Sequence, residues 1–98
     1  MTIIWSRQAQ DDLAAIRSFI ARDSERYAQL AIDRIVTATD RLLRFPRSGR
    51  VVPEIGDENL RELLVAFYRV VYRLQSASIG IATVVHMSRE LRLPEGAA

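Results

Sequence analysis

The spacing of apolar residues changes several times along the chain. Thr2-Ile3-Ile4-Trp5 is a short run, β-branched at its first three positions, and predicts a strand. Ala9, Leu13, Ile16 and Ile20 then recur at helical spacing with Phe19 beside them, predicting a helix over about Arg7 to Arg22. Ser6 precedes that helix as a cap, and Asp11 and Asp12 fall towards the positive end of its dipole. Asp23 and Ser24 open a second helix. Its apolar stripe is Ala28, Ala31, Ile32, Ile35, Ala38, Leu42 and Phe45, and Arg26, Asp33, Arg34, Asp40, Arg41 and Arg44 fill the polar face. Pro46 stops it, because the residue before a proline is driven out of helical geometry.

Past the loop Phe45-Pro46-Arg47-Ser48-Gly49-Arg50, the period shortens. Val51-Val52 predicts a short extended segment, and Ile55 to Asn59 a polar turn. Strands are expected over Arg61–Phe67, Tyr68–Leu74 and Ile79–His86, with Ser88 to Arg92 as one helical turn. Ala66-Phe67 carries no strong turn residue, so periodicity does not fix the boundary between the first two. The order strand, helix, helix, strand, strand, strand predicts one α+β domain over residues 1–98, with a helical hairpin on one face of the sheet. Leu93 to Ala98 is expected to fray.

Parity sorts the strand residues. Tyr68, Val70, Tyr72 and Leu74 share one face, expected under the helices; Arg69, Val71 and Arg73 share the other, expected to be open. In the last strand, Ile79, Ile81, Thr83 and Val85 go with the helices, which places Val84 and His86 on the open face near Arg69 and Arg73. A single bulge reverses that assignment.

Composition narrows the chemistry. The chain has 98 residues, is 49% hydrophobic and 27% charged, and contains no cysteine, which excludes disulfides and thiolate metal sites. No apolar run approaches a membrane span, and Met1 to Arg7 lacks the layout of a secretory signal, so a cytoplasmic location is expected. All 14 basic residues are arginine, whose planar fork suits carboxylates and phosphates, yet a net charge of +2 does not by itself indicate a nucleic-acid binder. His86 is the one histidine, and the carboxylates are scattered, so no metal and no cofactor are expected. The four glycines are too far apart for a Walker or dinucleotide-binding loop, and Ser88 lacks a nucleophile elbow. Metal-free RNA cleavage stays open: His86 as acid or base, Glu54 or Glu62 as base, and Arg61, Arg69, Arg73 and Arg89 on the phosphate.

Several segments occur in a familiar order. They are Trp5-Ser6 leading to Ala9 and Asp12-Leu13, Leu42-Leu43-Arg44-Phe45-Pro46, Gly49-Arg50, Arg61-Glu62-Leu63, Tyr68-Arg69-Val70-Val71-Tyr72-Arg73, and Val84-Val85-His86-Met87-Ser88-Arg89. Their order and spacing over residues 3–92 resemble the RelE/ParE superfamily of bacterial type II toxin–antitoxin systems. The resemblance implies a helical hairpin on a mostly antiparallel sheet. It also implies a cognate antitoxin, often a ParD-like ribbon-helix-helix protein, in a hetero-oligomer that reaches DNA only through the antitoxin.

Two activities divide the superfamily. ParE-like members inhibit DNA gyrase without being nucleases, and RelE-like members cut messenger RNA in the ribosomal A site. The nuclease branch usually carries several cationic and acid–base groups on the sheet, often with a late tyrosine or histidine. This chain has no lysine and no tyrosine after Tyr72, and so looks more like the ParE branch. Arg61, Arg69, Val71, Arg73, His86, Arg89 and Arg92 are the expected contacts to target or antitoxin.

Overall fold

A computed structural model describes residues 1–89 and Leu91. The elements are β1 (Thr2–Trp5), α1 (Arg7–Ala21), α2 (Glu25–Asp40), β2 (Arg50–Val51), β3 (Leu60–Val65), β4 (Tyr68–Leu74) and β5 (Ser78–His86). They form one five-stranded sheet in the order β1-β5-β4-β3-β2, with β1 parallel to β5 and every other pair antiparallel. The α+β architecture and the hairpin of helices are as expected.

Both helix starts follow from their caps. The Ser6 hydroxyl accepts from the Ala9 N–H at 3.0 Å and Ser24 from the Tyr27 N–H at 3.2 Å, each satisfying a donor that the helix leaves free. Asp11 and Asp12 lie beyond the first turn of α1, where the dipole has faded. Asp12 instead ties α1 to β5, accepting from the Thr83 hydroxyl and, at 2.9 Å, from the Val84 N–H. α2 ends earlier than its apolar stripe suggests and tightens into a 3₁₀ turn over Arg41–Leu43, so Phe45 leaves the stripe and is exposed.

The main core lies between the helices and one sheet face. Ala9, Ile35, Leu42, Val70, Tyr72, Ile79, Ile81 and Val84 are its buried members. Val84 is there because β4 and β5 lose register between Val71, opposite Thr83, and Tyr72, opposite Ile81. Ala82 is the extra residue, and downstream of it the parity reverses. His86 therefore pairs with Tyr68 and takes the face of Tyr68, not the face of Arg69 and Arg73 on which it was expected. β3 and β4 are joined by the two residues Ala66 and Phe67, with Ala66 in the left-handed region at φ 53°.

The other sheet face is also covered. Val52, Leu60, Val71 and Leu91 form a second buried cluster, against which Ala82 and Val85 pack. The segment after β2 and the chain beyond β5 thus close the face that parity alone presents as open. Met87 to Arg89 make a turn with the Arg89 N–H on the His86 carbonyl, and Leu91 is not helical; Glu90 and Arg92 of the expected helical turn, and the tail from Leu93, lie outside the described residues.

Candidate functional site

Arg69 is the centre of a polar cluster inside the covered face. Its Nε donates to Glu62 at 2.7 Å, and its two terminal nitrogens reach both oxygens of Glu54 at 2.7 Å each. Glu62 has a fully buried side chain and also accepts from Arg50 at 2.6 Å. Hydrogen bonding to Arg69 holds the Glu54 carboxyl down at about 2, and its two carboxylates raise the guanidinium of Arg69 further above its ordinary value. The Leu91 N–H points to Glu54 at 3.4 Å, so the same carboxylate tethers the start of the C-terminal segment.

Arg61 staples a loop. Its guanidinium donates to the carbonyls of Glu58 at 2.9 Å and Gly49 at 2.9 Å, with a longer contact to Arg47. Tyr72 completes the frame: its hydroxyl donates to the Pro46 carbonyl at 2.8 Å and accepts from the Gly49 N–H at 3.0 Å. Burial raises the Tyr72 phenol above its usual value, against the opposing pull of the Gly49 N–H and the charges of Arg61 and Arg47, so the proton needed for the Pro46 bond stays in place.

His86 sits at the tip of the β3–β4 hairpin. Phe67 stacks on it at 6.3 Å between ring centres, and Tyr68 meets it edge-on at 5.6 Å. The Ser88 N–H donates to Nδ1 at 3.1 Å, so the proton of the neutral ring belongs on Nε2. Beside this tip lies a groove of about 290 Å³ between α2 and the hairpin, lined by Tyr27, Leu30, Ala31, Val65 and Tyr68, with Arg34 at its side. Of its lining, Tyr27 and Leu30 are 68% and 47% exposed, and Phe67 at the hairpin tip is 70% exposed.

Three comparisons bear on this arrangement. The sequence model described as "ParE toxin of type II toxin-antitoxin system, parDE" matches residues 3–91. The chain belongs to the ParE toxin family. It is the toxin of a type II toxin–antitoxin system of the ParE/RelE kind, and that context implies an antitoxin partner. Toxin RelE2 of Caulobacter vibrioides is 33% identical over 88 residues, covering 89% of this chain and 96% of the relative. A solved structure described as the chromosomal ParDE TA system from P. aeruginosa shares the fold, with TM-score 0.75 and 22% identity over 90% of this chain and 97% of that one.

Of the residues that the sequence singled out, the fold of the toxin gathers Arg69, Glu54 and Glu62, and it joins them to one another in a closed cluster. Val71 is fully buried and Arg69 is 6% exposed, so neither lies on an open face, and Arg69 already holds two carboxylates. Glu62 is buried between two arginines and is no free base. Arg73 is half-buried and approaches Asp57 at 3.5 Å. His86 and Arg89 are exposed, and Arg92 lies outside the described residues. The groove, and the exposed Phe45 and Phe67, escaped sequence reasoning. One signal was present: an aromatic residue in a two-residue turn has no strand partner to bury it.

Proposed function

We propose that this toxin acts in the ParE manner, by inhibiting DNA gyrase, and that its antitoxin neutralises it by laying an amphipathic helix into the groove beside His86. The carrying observation is the polar cluster: Arg69, Glu62 and Glu54 satisfy one another inside the covered face, and Arg61 is held by backbone carbonyls. Among the described residues, a phosphate grip and a proton carrier are therefore not assembled around one cavity, as RNA cleavage requires. The groove offers apolar anchors on an exposed helix face, the geometry that suits helix-in-groove recognition, and Arg34 is placed to meet an acidic residue of the incoming helix.

The RelE-like alternative, a ribosome-dependent messenger RNA endonuclease, draws on one feature. His86 is exposed, with Nδ1 fixed by Ser88 and Nε2 left as the proton donor, and Arg89 is nearby in sequence. Pulse labelling of DNA and protein synthesis after induction of the toxin alone separates the readings. DNA synthesis is expected to fall first, with purified gyrase losing supercoiling activity, and His86→Ala is expected to arrest growth like the wild type. Early loss of protein synthesis with cleaved messenger, abolished by His86→Ala, would establish the nuclease instead. Co-expressed antitoxin should rescue growth from the wild type but not from Leu30→Glu; equal rescue would remove the groove from the neutralising interface.

A further inference from the structure

We propose that the pocket beside the loop between α2 and β2 binds a single strand of DNA, with phosphates on Arg44 and Arg47 and a base against Phe45. The pocket is a shallow, open depression, and its lining includes Arg44, Phe45, Arg47, Ser48, Leu74 and Gln75, with no acidic residue. An open, uncapped depression suits a polymer that passes across it. Arg44 and Arg47 are exposed and form no ion pair among the described residues, in contrast to Arg50, Arg69 and Arg73 of the sheet. Phe45 is 59% exposed between them. An aromatic face flanked by free guanidinium groups is the pairing that binds single strands, since unstacked bases offer a π-face and the backbone supplies the charge.

The loop is also preorganised. Tyr72 and Arg61 hold the carbonyls of Pro46 and Gly49 and the N–H of Gly49, so Arg47 is presented by a pinned backbone. Side chains on a fixed frame lose less freedom on binding than the same groups on a mobile loop. The choice of DNA over RNA rests on the gyrase reading, because DNA is the substrate of that target. Direct contact with DNA departs from the expectation that the complex reaches DNA only through its antitoxin.

The test needs no gyrase, so its result stands apart from that reading. Purified toxin is titrated against a fluorescein-labelled oligothymidylate of about twelve nucleotides, followed by anisotropy. Phe45→Ala is expected to weaken binding about tenfold. The pair Arg44→Gln and Arg47→Gln is expected to reduce the slope of log affinity against log salt by about 1.4, the value for two phosphates of a single strand. The charge-matched pair Arg22→Gln and Arg26→Gln, on exposed positions elsewhere, should change neither. All these residues are exposed, so thermal melts should match the wild type. Equal weakening in the control pair, unchanged affinity in Phe45→Ala, a matched duplex binding as tightly, or an oligouridylate binding more tightly would each overturn the assignment.

Discussion

Arg69→Met is expected to lower the unfolding free energy by about 3–5 kcal/mol, the cost of leaving a buried ion-pair partner uncompensated. Glu62 is the reason. Its side chain has no exposure, and once Arg69 is gone its one remaining ion-pair partner among the described residues is Arg50, whose side chain is 55% exposed. Glu54 suffers less, because it is one-third exposed and regains water. The loss is a large share of the roughly 5–15 kcal/mol that holds a domain of this size together. Urea denaturation gives the number, with the midpoint falling and the slope unchanged. Adding Glu62→Met to Arg69→Met should recover much of the loss, since an apolar pair of similar bulk needs no compensation. A loss below about 1 kcal/mol in the single variant would show that Glu62 escapes burial by a small shift of β3.

The same cluster sets a pH dependence with a definite sign. Glu54 has its folded value held at about 2, against an ordinary value of 4.5. A depressed carboxyl contributes stability that is fully present above its unfolded value and is lost as pH falls through the folded one. Wild-type stability should therefore be flat in this respect from neutral pH to about 5 and decline from there towards about 2. Glu54→Gln should be less stable than the wild type at neutral pH, and the gap should close across that window. Because Leu91 leans on the same carboxylate, the protection of its amide against hydrogen exchange, relative to an unstructured amide at the same pH, should fall in parallel. A gap that stays constant to pH 3 would show that Glu54 contributes no charge to the cluster.

The legible parts of this fold were those with a local cause. Ser6 and Ser24 are caps that act within three residues, and both helices begin where they indicate. The alternation of Tyr68, Val70, Tyr72 and Leu74 put the right face of β4 under the helices. The illegible parts had distant causes. Ala82 bulges without a glycine or proline to mark it, and that single residue turns Val84 into the core and takes His86 off the face of Arg69 and Arg73. Arg69 has the same strand parity as a solvent-facing residue. What holds it inside is Glu54, fifteen positions earlier, together with Glu62 on β3, and neither contact leaves a periodic trace. The candidate sites followed the same rule: charge could be counted in the sequence, but whether an arginine was free or engaged depended on a partner elsewhere.

Gly49→Ala is expected to be the most damaging small substitution in the chain. The reason is space and not backbone freedom. A Cβ at Gly49 would lie 2.6 Å from the Glu62 carbonyl oxygen, 2.6 Å from the Tyr72 hydroxyl and 2.8 Å from the Tyr72 ring. Neither neighbour yields easily: Glu62 is paired to Arg50 on one side and Val71 on the other, and Tyr72 has no exposure. Overpacking of this kind costs about 1–3 kcal/mol. Displacing the loop also breaks the Tyr72–Gly49 and Arg61–Gly49 hydrogen bonds, each worth about 1 kcal/mol, which brings the total to about 3–5 kcal/mol. Tyr72→Phe separates the two contributions, since it removes the hydroxyl bonds to Pro46 and Gly49 while relieving one of the clashes. The double variant should therefore be more stable than the two single losses summed, a coupling that a double-mutant cycle reads directly. The consequence reaches the DNA pocket as well. Gly49→Ala should weaken oligothymidylate binding although it leaves Arg44, Phe45 and Arg47 intact, because the frame that presents them has moved. A variant that melts within about 1 kcal/mol of the wild type and binds oligothymidylate equally well would show that the loop adapts freely, and preorganisation would then explain nothing about the site.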